Sequence, residues 1–355
     1  MAAPTARLAT TASVLESTHP LPVYDGDRGN YRHTKPTSIS ETAEGMKIPT
    51  KVVWIDPITL VNEGKKYAAR RRVTKTVDEE KIVEGSSTLE RRTEQCSVTC
   101  LDAHVVRPVM EIFSAGFGVR DKKWKVQHTW EYQLNLPDIP KAQEPKTSGK
   151  SDNRQTSSKK RRLSQAGEPS ANASSTEHEP KYVTVRPDLI VVRTAKSERL
   201  NLGKSRLGAA SRCISVLEMK REGVISSRVE NMMKVAMERR DTLHSNPRRN
   251  RGTITNPLER EAFDLGSTNL LKQLIQYNLA CRVPSGAASD YDSMVFVNFP
   301  DMKTGAKVGI KELWDAGVGE TMEISILGPE RSADVRAAWL GFLALGSKAL
   351  SESTG

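Results

Sequence analysis

Three side chains carried by two apolar runs have the types and spacing for phosphodiester chemistry. The stretch "VTVRPDLIVV" places Asp188 directly after Pro187, and "RCISVLEMKRE" places Glu218 and Lys220 two positions apart. Both runs are short and rich in β-branched residues, with turn-forming residues between them, so both read as strands. Side chains alternate faces along a strand, so Glu218 and Lys220 project the same way. If the strand bearing Asp188 lies alongside, two carboxylates and one amine converge. Such carboxylates are hard oxygen ligands for Mg²⁺ or Mn²⁺, ions that bridge and neutralise a phosphodiester while water attacks in line. A neighbouring amine orients that water or helps to deprotonate it.

The triplet itself is weak evidence. An acid two residues before a lysine also occurs at Glu63, Glu79, Asp121, Glu144, Glu179 and Asp301, and Pro-Asp recurs at Pro137-Asp138 and Pro300-Asp301. Context separates them. Pro187-Asp188 alone precedes an apolar strand run that is followed by such a triplet embedded in a second apolar run. An ionised acid in a buried strand is costly unless it is paired or metal-bound. The bland alternative is an exposed-face pair, Glu218 with Lys220, on an amphipathic strand.

These residues resemble the signature of the PD-(D/E)xK nuclease superfamily, the restriction-endonuclease-like fold. Pro187-Asp188 and Glu218-Met219-Lys220 match it in order and on the expected strands, and Gln273 and Tyr277 in "QLIQY" are similar to the QxxxY element of its RecB-type branch. A looser likeness is to nuclease-like domains of fungal proteins. The resemblance spans about residues 105–300 and implies a core of helix, three strands, helix and strand. "RPVMEIFSAGF", "KWKVQHTWEYQL", "YVTVRPDLIVV", "CISVLEMK", "NLLKQLIQYNL" and "MVFVNF" fill that order. It also implies that Asp188, Glu218 and the Met219 carbonyl ligate Mg²⁺ or Mn²⁺ and that Lys220 positions the attacking water. Gln273 and Tyr277 would orient Lys220 or a phosphate, and the acid of the first helix would be Glu111.

The elements that must hold these groups are legible to different degrees. Residues 1–48 are rich in Thr, Ser, Pro and Gly and read as a flexible arm. Residues 49–140 read as the N-terminal part of the globular domain, with strand-like pieces and one helix around "RPVMEIFSAGF". Residues 141–180 lack almost every large apolar side chain and read as a basic polar linker or insertion. Residues 181–355 resume apolar periodicity. Val229, Met232, Met233 and Ala236 recur at helical spacing, a core-facing stripe. Asn256, Pro257 and Glu259 suit a helix start. "STNLLKQLIQYNLACRV" continues as a helix, "MVFVNF" and "TMEISILG" as strands, and the segment from Pro329 through Val335, Ala338, Trp339 and Phe342 as a packed helix. The expected class is α/β: a central mixed sheet flanked by helices.

Charge names a class of partner. Lys and Arg exceed Asp and Glu by 11 over 355 residues, which favours a polyanion, nucleic acid or an acidic membrane surface, and charge alone does not choose between them; the nuclease resemblance implies nucleic acid, DNA first. Lys159, Lys160, Arg161 and Arg162 form a basic run that reads equally as a nuclear import signal for an import receptor or as a phosphate-binding patch. Arg248, Arg249 and Arg251 form a second basic loop suited to a nucleic-acid backbone. No run of about 18 apolar residues is present, so no transmembrane helix and no membrane partner are expected. The start, with Arg7, several Thr and no acid before Glu16, leaves a mitochondrial location open beside nucleus and cytoplasm. Four cysteines, Cys96, Cys100, Cys213 and Cys281, are too sparse for a disulfide scaffold or an iron–sulfur cluster. Three function classes follow: a metal-dependent nuclease; a catalytically silent nuclease fold acting as a nuclear nucleic-acid-binding or interaction scaffold; and, less favoured because aromatic stacking motifs are missing, an RNA-binding adaptor.

Overall fold

In the computed structural model, the residues described are 45–70, 94–120, 123–130, 134–137, 182–196, 212–220, 223–244, 263–304 and 310–352, with a few isolated positions besides. Among them a mixed seven-stranded sheet is flanked by helices on both faces. In chain order its strands are β1 (Lys51–Trp54), β2 (Trp124–Trp130), β5 (Leu189–Ala195), β6 (Arg212–Met219), β7 (Ser285–Ser289), β8 (Met294–Asn298) and β9 (Thr321–Leu327). A two-stranded ribbon, β3 (Leu134–Pro137) with β4 (Tyr182–Val185), lies between β2 and β5 in the chain. The spatial order is β1-β9-β8-β7-β6-β5-β2. Within it β5 is antiparallel to β2 and β6, β7 is parallel to β6, and β8 is antiparallel to both of its neighbours. One sheet therefore joins the part before residue 140 to the part after residue 181.

The helices are α1 (Pro57–Arg70), α2 (Glu94–Leu101), α3 (Arg107–Arg120), α4 (Val229–His244), α5 (Leu265–Cys281), α6 (Ile310–Ala316) and α7 (Val335–Glu352). Side chains of α1, α3 and α7 close one face of the sheet around Phe113, Leu217, Phe296 and Trp339. On the other face α4 and α5 pack over Ala288, Val295 and Ile324. The methionine stripe divides as its period requires, with Met232 fully buried and Met233 partly so.

Besides α2, which the single helix expected before residue 140 leaves out, and the division of "KWKVQHTWEYQL" and "YVTVRPDLIVV", each expected as one strand, between the main sheet and the ribbon, two departures stand out. "DPITLV", with β-branched Ile58, Thr59 and Val61, lies in the stretch read as strand-like pieces with one later helix, yet it opens α1. Pro57 occupies the first helical position, and Asp56 Oδ1 accepts a hydrogen bond from the Ile58 N–H at 2.9 Å, which satisfies a donor the helix leaves unpaired. The second departure concerns the strand that follows α5. "MVFVNF" is β8, one strand further on. The strand parallel to β6 is β7, "SGAAS", a run with no β-branched residue that is buried throughout. Its small side chains have a packing reason: a Cβ on Gly286 would sit 2.3 Å from Asn278 Oδ1 of α5. The start proposed at Asn256, Pro257 and Glu259 lies outside the described residues. Within them α5 begins at Asp264, whose Oδ1 accepts from the Ser267 N–H at 2.8 Å. The terminal helix starts at Val335, after a six-residue 3₁₀ segment, Pro329–Asp334, that is kinked at Arg331.

Candidate functional site

Asp188 stands immediately before β5, and Glu218 near the end of β6. The register pairs Leu189 with Leu217, so both acids lie at one end of two adjacent strands. Asp188 Oδ2 accepts a hydrogen bond from the Met219 N–H at 2.6 Å. Glu218 Oε1 accepts from Lys220 Nζ at 2.5 Å and from Gln273 Nε2 at 2.7 Å. The same Gln273 amide lies 2.7 Å from the Tyr277 hydroxyl, to which it donates. Gln273 and Tyr277 are four apart on α5, one turn, and so reach the site from the same side of that helix. The backbone N–H of Lys220 donates to the Ser289 carbonyl at 2.8 Å, which ties the chain leaving β6 to the end of β7. All five residues named from the sequence thus meet around one point.

Burial makes this cluster costly. Glu218 is 3% exposed and Lys220 7%, so neither is a solvated surface charge and the exposed-pair reading fails. Burial pushes the Glu218 carboxyl up to about 8; the Lys220 ammonium opposes that shift, and the Asp188 charge reinforces it. Burial, with the Glu218 charge behind it, also raises the Tyr277 phenol, which therefore stays protonated. Glu218 Oε2 is buried and has no hydrogen-bond partner among the described residues. A carboxyl raised to about 8 takes up a proton at neutral pH, and a cation bound beside Asp188 would displace that proton.

Gln273 and Tyr277 do not orient Lys220 directly. Their hydrogen bonds run to Glu218 and to each other, so they fix the carboxylate and leave Lys220 to Glu218 itself. Glu111 is exposed on α3. Lys159, Lys160, Arg161, Arg162, Arg248, Arg249 and Arg251 lie outside the described residues.

Sequence reasoning missed Asp290, in the turn between β7 and β8. Its Oδ2 accepts from the Ile225 and Ser226 N–H groups, each at 2.8 Å, and its Oδ1 from the Ser293 N–H at 3.0 Å. Burial pushes its carboxyl up to about 6 against the pull of those hydrogen bonds. Asp290 thereby staples the chain that follows Lys220 to the end of β7. An acid in a short turn is an ordinary surface feature, and nothing local marks this one as buried.

Two carboxylates and a carbonyl make an oxygen donor set suited to a hard divalent cation, and the unmatched Glu218 Oε2 fits such an ion. Among the described residues no group of three or more His, Cys, Asp or Glu side chains gathers as a metal site, so the Met219 carbonyl and water would complete the coordination. Among those residues, too, no helix is long and apolar enough to cross a membrane. Compared with protein-family models, curated proteins and solved structures, the chain matches none.

Proposed function

We propose that this chain is a metal-dependent nuclease of the restriction-endonuclease-like fold that hydrolyses phosphodiester bonds in DNA. The observation that carries the reading is the buried Glu218 carboxylate, one oxygen bound by Lys220 and Gln273 and the other unmatched, with Asp188 beside it. Once the β3–β4 ribbon and α4 are set aside as insertions, the order α3, β2, β5, β6, α5, β7 is compatible with the helix, three strands, helix and strand that the resemblance implies. The charge excess of 11 suits a polyanionic substrate.

Asp188, Glu218 and the Met219 carbonyl would hold Mg²⁺ or Mn²⁺. Bound there, the ion would act as a Lewis acid that neutralises the charge gathering on the phosphate. The protein's own groups supply the rest. Lys220 is aimed by its ion pair with Glu218, so its ammonium sits where an attacking water can be oriented by hydrogen bonding. Gln273 and Tyr277 lock the Glu218 rotamer, which keeps its second oxygen turned toward the site. The Met219 N–H does the same for Asp188.

The test is cleavage of supercoiled plasmid and of linear duplex and single-stranded DNA with Mg²⁺ or Mn²⁺, set against chelator. Wild-type protein should cut, and Asp188→Ala and Glu218→Ala should reduce the rate to background while the far-UV spectrum and melting remain cooperative. Activity surviving in both variants overturns the reading. DNA binding with no cleavage under any metal would favour the scaffold alternative.

A further inference from the structure

A second cleft lies on the other face of the sheet and at its other end. The nuclease site sits at the rung pairing Met219 with Ser289, whereas the cleft opens at the rung pairing Ser285 with Asn298 and Asn298 with Glu323. Ser285 and Ser289 are the two ends of β7, so the sites are separated along the strand by about 13 Å at roughly 3.3 Å per residue. The cleft encloses about 270 Å³ between α1, α7 and strands β7, β8 and β9. That is larger than the roughly 150 Å³ of an engineered apolar cavity able to hold benzene.

Its lining is divided. Leu60, Phe296, Phe342 and Leu345 form apolar walls, and Leu345 is among the few large apolar side chains exposed on the described surface. One polar strip crosses the three strands. Ser285 Oγ donates to Asn298 Oδ1 at 3.2 Å, and Asn298 Nδ2 donates to Glu323 Oε2 at 2.7 Å. Two residues along β9 from Glu323, the Ser325 hydroxyl lines the same cleft, 3% exposed and without a hydrogen-bond partner among the described residues. A buried hydroxyl left unpaired is rare and costly, and this one sits where a ligand atom would answer it. Among the described residues no lysine, arginine or histidine lines the cleft. Its polar end is therefore rich in acceptors, with a carboxylate and no cation, a surface that rejects anionic head groups.

From this division we infer that the cleft binds a small amphipathic molecule with an apolar body and a hydrogen-bond-donating head, an alcohol or an amine. The body fills the space between Phe296, Phe342 and Leu60. The head reaches Ser325 and Glu323. This site is independent of the phosphodiester chemistry on the opposite face.

Calorimetric titration of the full chain with n-octylamine, n-octanol and octanoate, each below its micellar concentration at neutral pH, tests this. The amine and the alcohol should bind, and octanoate should bind at least about 10-fold more weakly. Glu323→Gln should weaken the amine about 10-fold and the alcohol much less, because only the amine uses the carboxylate charge. Ser325→Ala should weaken both. Asp188→Ala should change neither, which separates failure here from failure of the nuclease reading. Equal binding of all three probes, no binding of any, or binding indifferent to both Glu323→Gln and Ser325→Ala overturns the proposal. Methyl-resolved NMR of Leu60 and Leu345 gives a second readout: if the probes bind elsewhere, those signals do not move.

Discussion

The two faces of the sheet solve the problem of burial in opposite ways. On the α5 face the fold sinks an acid, an ammonium and a phenol below the surface, joins them through the half-buried Gln273 amide, and leaves one carboxyl oxygen unmatched. On the α1 and α7 face it brings helix backbones into near contact. A Cβ on Gly64 would lie 1.9 Å from the Ala337 carbonyl oxygen, and one on Gly341 would lie 2.0 Å from that of Leu60. Behind them Trp339, Phe296 and Phe342 form an aromatic cluster, the Phe296 and Phe342 rings 5.0 Å apart. The contrast separates the face that packs most tightly from the face that carries the proposed site. The tight face holds the molecule together by close contact, and the charged face draws on that stability to hold groups that would otherwise be solvated.

The contrast is broken most severely by removing a carboxyl group at the site. Glu218→Ala or Asp188→Ala should lower metal-dependent cleavage at least about 10³-fold, equivalent to about 4 kcal/mol of transition-state stabilisation, measured as single-turnover rates. Next in size, Gly64→Val or Gly341→Val should destabilise the fold by about 3 kcal/mol or more, read as the urea midpoint, because the added side chain meets backbone and not a yielding side chain. Cleavage per folded molecule should be unchanged.

A third change sharpens the comparison by reversing its sign. Replacing both members of the buried ion pair, Glu218→Gln with Lys220→Met, should leave the metal-free protein as stable as the parent or stabilise it by about 1–2 kcal/mol, while cleavage is lost. Melting measured in chelator checks it. The smallest effect is a pH dependence at Asp290. Its folded-state value of about 6 lies above the ordinary value near 3.8. Between those values the folded state binds more protons, so this group's stabilising contribution is complete below about pH 4 and is lost as pH rises through 6. Between pH 5 and 7 wild-type stability should fall by about 1 kcal/mol relative to Asp290→Asn in parallel urea titrations.

How legible was this in the sequence? Strands β5 and β6 announced themselves because fully buried strands are continuous β-branched runs, and the acids stood out as exceptions within them. Gln273 and Tyr277 were legible as a helical pair, although their true partner, Glu218, depended on how α5 crosses the sheet. Strand β7 was hidden because Gly286, Ala287 and Ala288 are selected for thinness against α5 and not for β propensity. The start of α1 was hidden by its β-branched Ile58, Thr59 and Val61, a preference that capping by Asp56 and packing against α7 overrode. Asp290 and the Ser325 cleft lay beyond any local reading, since each is defined by contacts between segments distant in the chain.

Strand β1 has a consequence for biosynthesis. It pairs in parallel with β9, Lys51 opposite Thr321 and Trp54 opposite Ile324, and so joins segments some 270 residues apart in sequence. During translation β1 emerges long before its neighbour exists, and Val52 and Trp54 have no sheet to join until β9 has been made. Until that late closure, α4 is the earlier-made element against which Val52 and Trp54 can pack, and the sheet edge they belong to is completed only once residue 321 and its successors are made.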